Sequence, residues 1–221
     1  MIKKFLSYFI PILIFEKKSI LSHNIEIAWN NGALVMDSKN TNYSYGSLQR
    51  ILRKGLQYIG FHNIQSMKEI LILGVAGGSV VKTLVNEIKF EGRITGVEID
   101  KNIIEIANQY FKLNEIPNFE IVIEDAFEFI LKNQKCYDLI VIDIFQDTLM
   151  PTFLFEDYFS KKIIQSLDSK GFVLFNTMCL TEKDNQRNID YVAQLDTKTV
   201  KTTHIARVEQ HNELILIQKI E

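Results

Sequence analysis

The chain has 221 residues, 47% of them hydrophobic and 24% charged, with 25 Lys+Arg against 27 Asp+Glu for a formal net charge of −2. Those figures suit one α/β domain with a small appendage, exclude disordered, collagen-like and coiled-coil chains, and leave no global basic field to draw nucleic acid. Cys136 and Cys179 are too far apart for a disulfide framework, and His23, His62, His204 and His211 lack metal-ligand spacing, so no metal is expected.

Taken in chain order, the N-terminus opens on Lys3-Lys4 and an apolar run over 5–15, which imitates the first two regions of a signal peptide. No small-residue cleavage site follows, Pro11 interrupts the run, and it falls short of the ~20 apolar residues that span a bilayer. It reads as a packed helix-then-strand element of a cytoplasmic protein without an integral membrane segment. Contact with a membrane or a partner subunit is the other reading. Short β-rich stretches at 12–15, 19–22, 25–29 and 33–37 predict a small antiparallel sheet, with a hairpin turn at Asn30-Asn31-Gly32. Leu48, Ile51, Leu52, Leu56 and Ile59 recur at helical spacing and predict a helix over 44–58.

Beyond Met67 the pattern changes. Apolar runs at 70–73, 94–97, 119–123, 139–142 and 172–175 alternate with helical patterns at 79–88, 101–111, 126–133 and 155–167. Runs that are apolar throughout and separated by helices describe a parallel sheet buried on both faces. Segments 199–208 and 214–219 read as a closing antiparallel hairpin. The expected fold is therefore α/β and Rossmann-like, a mostly parallel seven-stranded sheet with an antiparallel terminal hairpin, on the plan of class I AdoMet-dependent transferases. The division expected is a small N-terminal β-hairpin region over 1–43 and a Rossmann-like AdoMet-binding domain over 44–221.

Three strand ends carry the candidate binding residues. After the first parallel strand comes Gly74-Val75-Ala76-Gly77-Gly78-Ser79. Small residues there let a backbone approach a ligand, and the following helix offers free N–H groups. Gly74, Ala76 and Ser79 stand where a dinucleotide fingerprint wants three glycines, a poor match that leaves a ligand-free turn open. Glu98 closes the second strand 24 positions after Gly74, where a carboxylate can accept both hydroxyls of a ribose. Asp125-Ala126 ends the third strand; Asp125 can accept from an adenine amino group or merely cap the next helix. Jointly these make a nucleoside site at the carboxyl edge of the sheet.

Asp143 ends the fourth strand, at the donor's reactive end, and can take a proton from an attacking amine or hydroxyl or orient it; capping is its plainer role. Asp147, in the same loop, and Tyr45, with Tyr43 beside it, are candidates for an acceptor pocket. Packing at the core or rim is the alternative for the tyrosines, and solvation for Asp147. Glu156-Asp157 suits the first turn of a helix.

The segments EILILGVAGGSVVKTL, ITGVEIDKNIIEIANQYF, IEDAFEFI and YDLIVIDIFQD…LFEDYF resemble the spermidine synthase-like, or polyamine aminopropyltransferase, branch of class I AdoMet enzymes. The resemblance runs from the N-terminal hairpins to about Met178. It implies that Gly74, Ala76, Gly77, Gly78, Glu98, Asp125 and Ala126 surround AdoMet or decarboxylated AdoMet, that Asp143 accepts the acceptor's proton, and that the protein is a homodimer. There are departures. The family's glycine turn usually reads GGGDGG, and Gly77 replaces the aspartate that helps hold the donor's amino group. The D-E and Y-H-E motifs give way to residues 40–47, where a tyrosine survives. The DIFQD loop lacks the usual proline after its second aspartate. A site for polycations needs fixed carboxylates, and several are gone. Methyl transfer to an unidentified small acceptor is therefore the first expectation. Aminopropyl transfer to a diamine is the second, and non-catalytic nucleoside binding the third.

Overall fold

A computed structural model describes residues 2–19, 21, 23–37, 42–146, 149–209 and 211–221. The first elements are helix α1 (Ile2–Leu6) and strands β1 (Ile12–Ser19), β2 (His23–Asn30), β3 (Ala33–Asp37) and β4 (Asn42–Ser44), which pair in that order as an antiparallel sheet. Asn31 and Gly32 connect β2 to β3 with φ of 49° and 74°, the twist a two-residue hairpin requires. The stretch expected as a separate strand over 19–22 is not one: Ser19 ends β1, and residues 20 and 22 lie outside the described residues.

The apolar N-terminal run is a helix followed by a strand; its strand half packs, with Ile14 and Phe15 against the core, but its helical half does not. No residue of α1 is buried, and Phe5, Phe9 and Ile10 are 65%, 75% and 65% exposed. Polar contacts hold the segment instead: the Ser7 hydroxyl donates to Lys4 O at 2.7 Å and accepts from Gly32 N at 3.0 Å, while Asn31 N donates to Ser7 O at 2.9 Å. No helix among the described residues is long and apolar enough to cross a membrane.

The main sheet comprises β5 (Glu69–Leu73), β6 (Arg93–Glu98), β7 (Phe119–Ile123), β8 (Tyr137–Ile142), β9 (Leu167–Met178), β10 (Val200–Glu209) and β11 (Asn212–Lys219). Their order across it is β10-β11-β9-β8-β5-β6-β7. β7, β6, β5, β8 and β9 are parallel, and β11 runs antiparallel between β9 and β10. Successive residues face opposite sides. Ile70, Ile72, Leu139, Val141 and Leu174 bury on one face with the N-terminal Ile25, Ile27 and Met36 and with helix α2 (Gly46–Ile59). Leu71, Leu73, Ile140, Ile142 and Phe175 bury on the other. Both faces being covered is why these strands read as unbroken apolar runs.

The remaining helices are α3 (Phe61–Gln65), α4 (Ser79–Lys82), α5 (Lys101–Phe111), α6 (Ala126–Lys132), α7 (Asp157–Gln165) and α8 (Glu182–Ala193). The helix expected over 79–88 divides, because α4 passes into a wider turn over Thr83–Ile88 in which each carbonyl reaches one residue further. The helix expected over 155–167 is shorter: Phe155 lies in a 3-10 turn, and Leu167 already begins β9. Helix α8 was not expected. Its signal is a capping box in which Thr181 accepts from Asp184 N and the Asp184 carboxylate accepts from Thr181 N.

Strand order reverses at β5, which lies between β6 and β8. Adjacent crossovers there leave to opposite faces and open a crevice at the carboxyl ends of the strands.

Candidate active site

The glycine turn follows β5 and lies against the neighbouring strand end. Gly74 has φ +89°, and a Cβ there would strike the backbone carbonyl of Asp143, so only glycine lets the ends of β5 and β8 approach this closely. Ala76 adopts φ +46° and Gly78 φ +77°. The space beside the Gly77 Cα is taken by Ser44 and that beside Gly78 by the Leu113 side chain. Gly74 and Ala76 therefore line the crevice, whereas Gly77 and Gly78 serve packing behind it.

Glu98, at the end of β6, braces this turn. Its Oε2 accepts from Val75 N at 3.1 Å and Ala76 N at 3.0 Å, and its Oε1 accepts from Asp100 N at 3.1 Å. Burial raises its pKa above the ordinary carboxylate value, against the lowering effect of those three bonds. Asp125, after β7, caps α6 through Oδ1, which accepts from Phe127 N at 2.8 Å and Glu128 N at 3.3 Å; its other oxygen has no partner among the described residues. Capping and lining the cavity are compatible, since Asp125 does both.

Asp143 follows β8. Burial is the largest influence on it and, with the nearby Glu98 charge, raises its pKa from 3.8 to about 7 although Asn176 opposes the shift. Asn176 Nδ2 donates to Asp143 Oδ1 at 2.9 Å, and Asp143 Oδ2 has no partner among the described residues. A carboxyl poised near neutrality at a cavity wall suits general acid–base work.

Gly74, Ala76, Glu98, Asp125, Ala126 and Asp143 thus share one cavity of about 460 Å³. That size is within the range of small-molecule sites. Four carboxylates line it (Glu98, Glu124, Asp125 and Asp143), and among the described lining residues there is no Lys, Arg or His. Such a wall favours a cationic ligand. Beyond Asp143 the lining turns apolar and neutral, with Phe145, Pro151, Phe153 and Met178 beside the carboxamides of Asn176 and Asn212. No group of three or more His, Cys, Asp or Glu among the described residues is placed to hold a metal ion.

Tyr45 does not line this cavity. Its hydroxyl donates to Gly77 O at 3.0 Å, and its ring stacks on Phe111 with centroids 4.5 Å apart, so it buttresses the back of the glycine turn. Burial raises its pKa, which keeps the phenol a donor. Side-chain placement overrides its promising position in the sequence. Tyr43 forms part of β4, and Asp147 lies outside the described residues. Sequence reasoning missed Asn176 and Asn212, and Leu21, whose carbonyl accepts from Gln146 Nε2 at 3.4 Å and so brings the N-terminal hairpin to the cavity rim. A lone asparagine inside an apolar strand was the available signal for Asn176: it is fully buried, which a polar group tolerates only when bonded.

The family model described as the spermine/spermidine synthase domain matches residues 49–205. A polyamine aminopropyltransferase of Vibrio vulnificus (strain CMCP6) is 33% identical over 128 residues, covering 56% of this chain and 42% of that protein. An eEF1A lysine and N-terminal methyltransferase homolog of Drosophila melanogaster is 29% identical over 127 residues, covering 52% of this chain and 18% of that protein. The matched stretches thus span less than half the length of either relative. Among solved structures, a spermidine synthase in complex with the transition state analogue AdoDATO superposes with a TM-score of 0.70 at 17% identity, covering 95% of this chain and 73% of that one. That likeness is one of fold.

Proposed function

Because this chain belongs to the spermine/spermidine synthase family, we propose that it is an AdoMet-dependent transferase whose first activity is methyl transfer to a small acceptor. The observation that carries the reading is the convergence of Glu98, Asp125 and Asp143 on one carboxylate-walled cavity beside a glycine turn. A sulfonium is a cation, and this wall supplies carboxyl groups without a competing cationic side chain among the described lining residues. In this reading Glu98 turns to the ribose, Asp125 offers its free oxygen to the adenine amino group, and Gly74 and Ala76 admit the donor to the backbone. When bound, the donor supplies an electrophilic carbon on sulfur. The protein's part is to align the acceptor for in-line attack and to receive its proton at Asp143 Oδ2, so positioning does most of the work.

Aminopropyl transfer from decarboxylated AdoMet is the second reading, favoured by the same carboxylate lining and by the matched aminopropyltransferase. Against it, the lining beyond Asp143 is apolar or carboxamide among the described residues, a poor match for a polycation. A third reading is a non-catalytic nucleoside-binding protein. The resemblance further supports a homodimer, and the sequence pattern a cytoplasmic protein divided into units over 1–43 and 44–221, as parts of the proposal.

Calorimetry and thermal melting with AdoMet, decarboxylated AdoMet, methylthioadenosine and NAD in parallel test this. Preference for AdoMet supports methyl transfer, and preference for decarboxylated AdoMet replaces it with the aminopropyl reading. Binding of none of the four removes the transferase reading.

A further inference from the structure

Two asparagines that no motif announces line the cavity beside Asp143. Asn176 projects from β9 and is fully buried. Its two ends are committed in opposite directions: Nδ2 donates to Asp143 Oδ1 at 2.9 Å, and Oδ1 accepts from Asn212 Nδ2 at 3.1 Å. Asn212 opens β11, paired across the ladder with Met178. Adjacent residues serve a separate polar cluster on the other face, where Asn188 donates to Thr177 Oγ1 and Glu213 Oε1, both at 2.8 Å.

A carboxamide has one donor end and one acceptor end and can present either by flipping. Facing an ionised Asp143, the Asn176 amide turns its NH₂ inward unaided. Facing a protonated one, nothing local prefers that orientation. Asn212 biases the choice: in its observed orientation its NH₂ bonds the Asn176 oxygen, which leaves the Asn176 NH₂ to face the carboxyl. We propose that Asn212 and Asn176 are positioning residues for Asp143: the relay from Asn212 through Asn176 favours the orientation in which the Asn176 NH₂ faces the carboxyl. Asn176 then holds Oδ1 and leaves Oδ2 as the oxygen that meets the acceptor.

The proposal rests on the reading of Asp143 as the proton acceptor, and it explains how one oxygen is kept for that task. An inward donor favours the carboxylate, opposing the burial and the Glu98 charge that push Asp143 upward. The other charged groups around the cavity are Glu124 and Asp125, beyond the end of β7, and no Lys, Arg or His among the described lining residues shares the task.

The test is a carbon-detected NMR titration of the Asp143 side-chain carboxyl in the ligand-free protein, assigned by comparison with Asp143→Asn. Asn176→Leu, which removes the donor at nearly constant volume, should raise the midpoint by about one pH unit. Asn212→Ala, which frees the amide to flip, should raise it by a smaller amount. Unchanged midpoints in both variants overturn the proposal, and a rise in Asn176→Leu alone overturns the role of Asn212. Should Asn176→Leu fail to fold, Asn212→Ala at the cavity rim decides alone. Donor calorimetry on the wild type is read separately: absence of donor binding sinks the transferase reading, while the titration still judges the asparagine pair.

Discussion

Asp143 carries two obligations that pull against each other. As proton acceptor it must be ionised, so turnover should rise with pH along a limb centred on about 7, the value set by its burial. Asp143→Asn should retain donor affinity in calorimetry and abolish turnover; undiminished turnover would remove the base assignment. The same carboxyl should cost stability. Its folded pKa of about 7 exceeds the ordinary 3.8, so the native state holds the proton more tightly than the unfolded chain. Stability therefore falls as pH rises through that window, by on the order of 4 kcal/mol. Asp143→Asn keeps the acceptor for Asn176 Nδ2 and sheds this cost. Its melting temperature should exceed the wild type's at pH 8, at about 2–4 °C per kcal/mol, and converge with it near pH 4. Glu98 shares the upward push of burial but is held by three backbone amides, those of Val75, Ala76 and Asp100. Glu98→Ala should weaken donor binding at least tenfold by calorimetry, and unchanged affinity would withdraw the ribose role.

Among the elements, α2 and β9 both line the cavity and pack on each other behind it. Gly55 lies where α2 crosses the sheet, and a Cβ there would come within 2.8 Å of Leu174 Cδ2. Leu174 is fully buried and has no room to retreat. Better helix propensity from replacing a glycine is worth up to about 1 kcal/mol, whereas overpacking costs about 1–3 kcal/mol and a branched side chain stands at the high end. Gly55→Val should therefore destabilise the protein by about 2 kcal/mol in denaturant melts, and a stability equal to wild type would show that α2 can shift. The turn after β5 has similar constraints: Gly78 at φ +77° abuts Leu113. The position that precedes α4 therefore calls for a residue that lacks a side chain. Packing, rather than ligand approach, accounts for two of the four small residues in this motif.

At the scale of the whole molecule, ligand and fold are linked. Donor at ~100 times its dissociation constant should stabilise the native state by roughly 2.7 kcal/mol. For a chain of this length that is a rise of about 5–11 °C in melting temperature. The N-terminal sheet contributes Ile25, Ile27 and Met36 to the same core as α2 and β5, so the melt should remain a single transition with and without donor. Separate transitions would mark the N-terminal sheet as an independent unit. The exposed side chains of Phe5, Phe9 and Ile10 form an apolar surface beside Lys3 and Lys4. Sedimentation of the wild type against Phe5→Ser/Phe9→Ser should show whether the proposed homodimer uses that surface, the double variant then being the smaller species.

What could be read from the chain alone was whatever repeats. Strands buried on both faces must be apolar throughout, and amphipathic helices must repeat every three to four residues, so the alternation and the terminal hairpin were legible without coordinates. The ends of β5, β6, β7 and β8 were legible too, because Gly74, Glu98, Asp125 and Asp143 each break an apolar run at its carboxyl edge. Helix α8 was missed because its apolar residues are few, and Phe5–Ile10 was misjudged as packed because apolar sequence does not say whether a partner surface exists. Tertiary structure decided the rest. Tyr45 turned away from the cavity because the back of the glycine turn offered its hydroxyl an acceptor and its ring a stacking partner. Asn176 and Asn212, 36 positions apart, meet beside Asp143 through their own hydrogen bond only because β11 pairs with β9. A hydrogen bond between distant strands depends on register, and register is settled by the packing of the whole sheet.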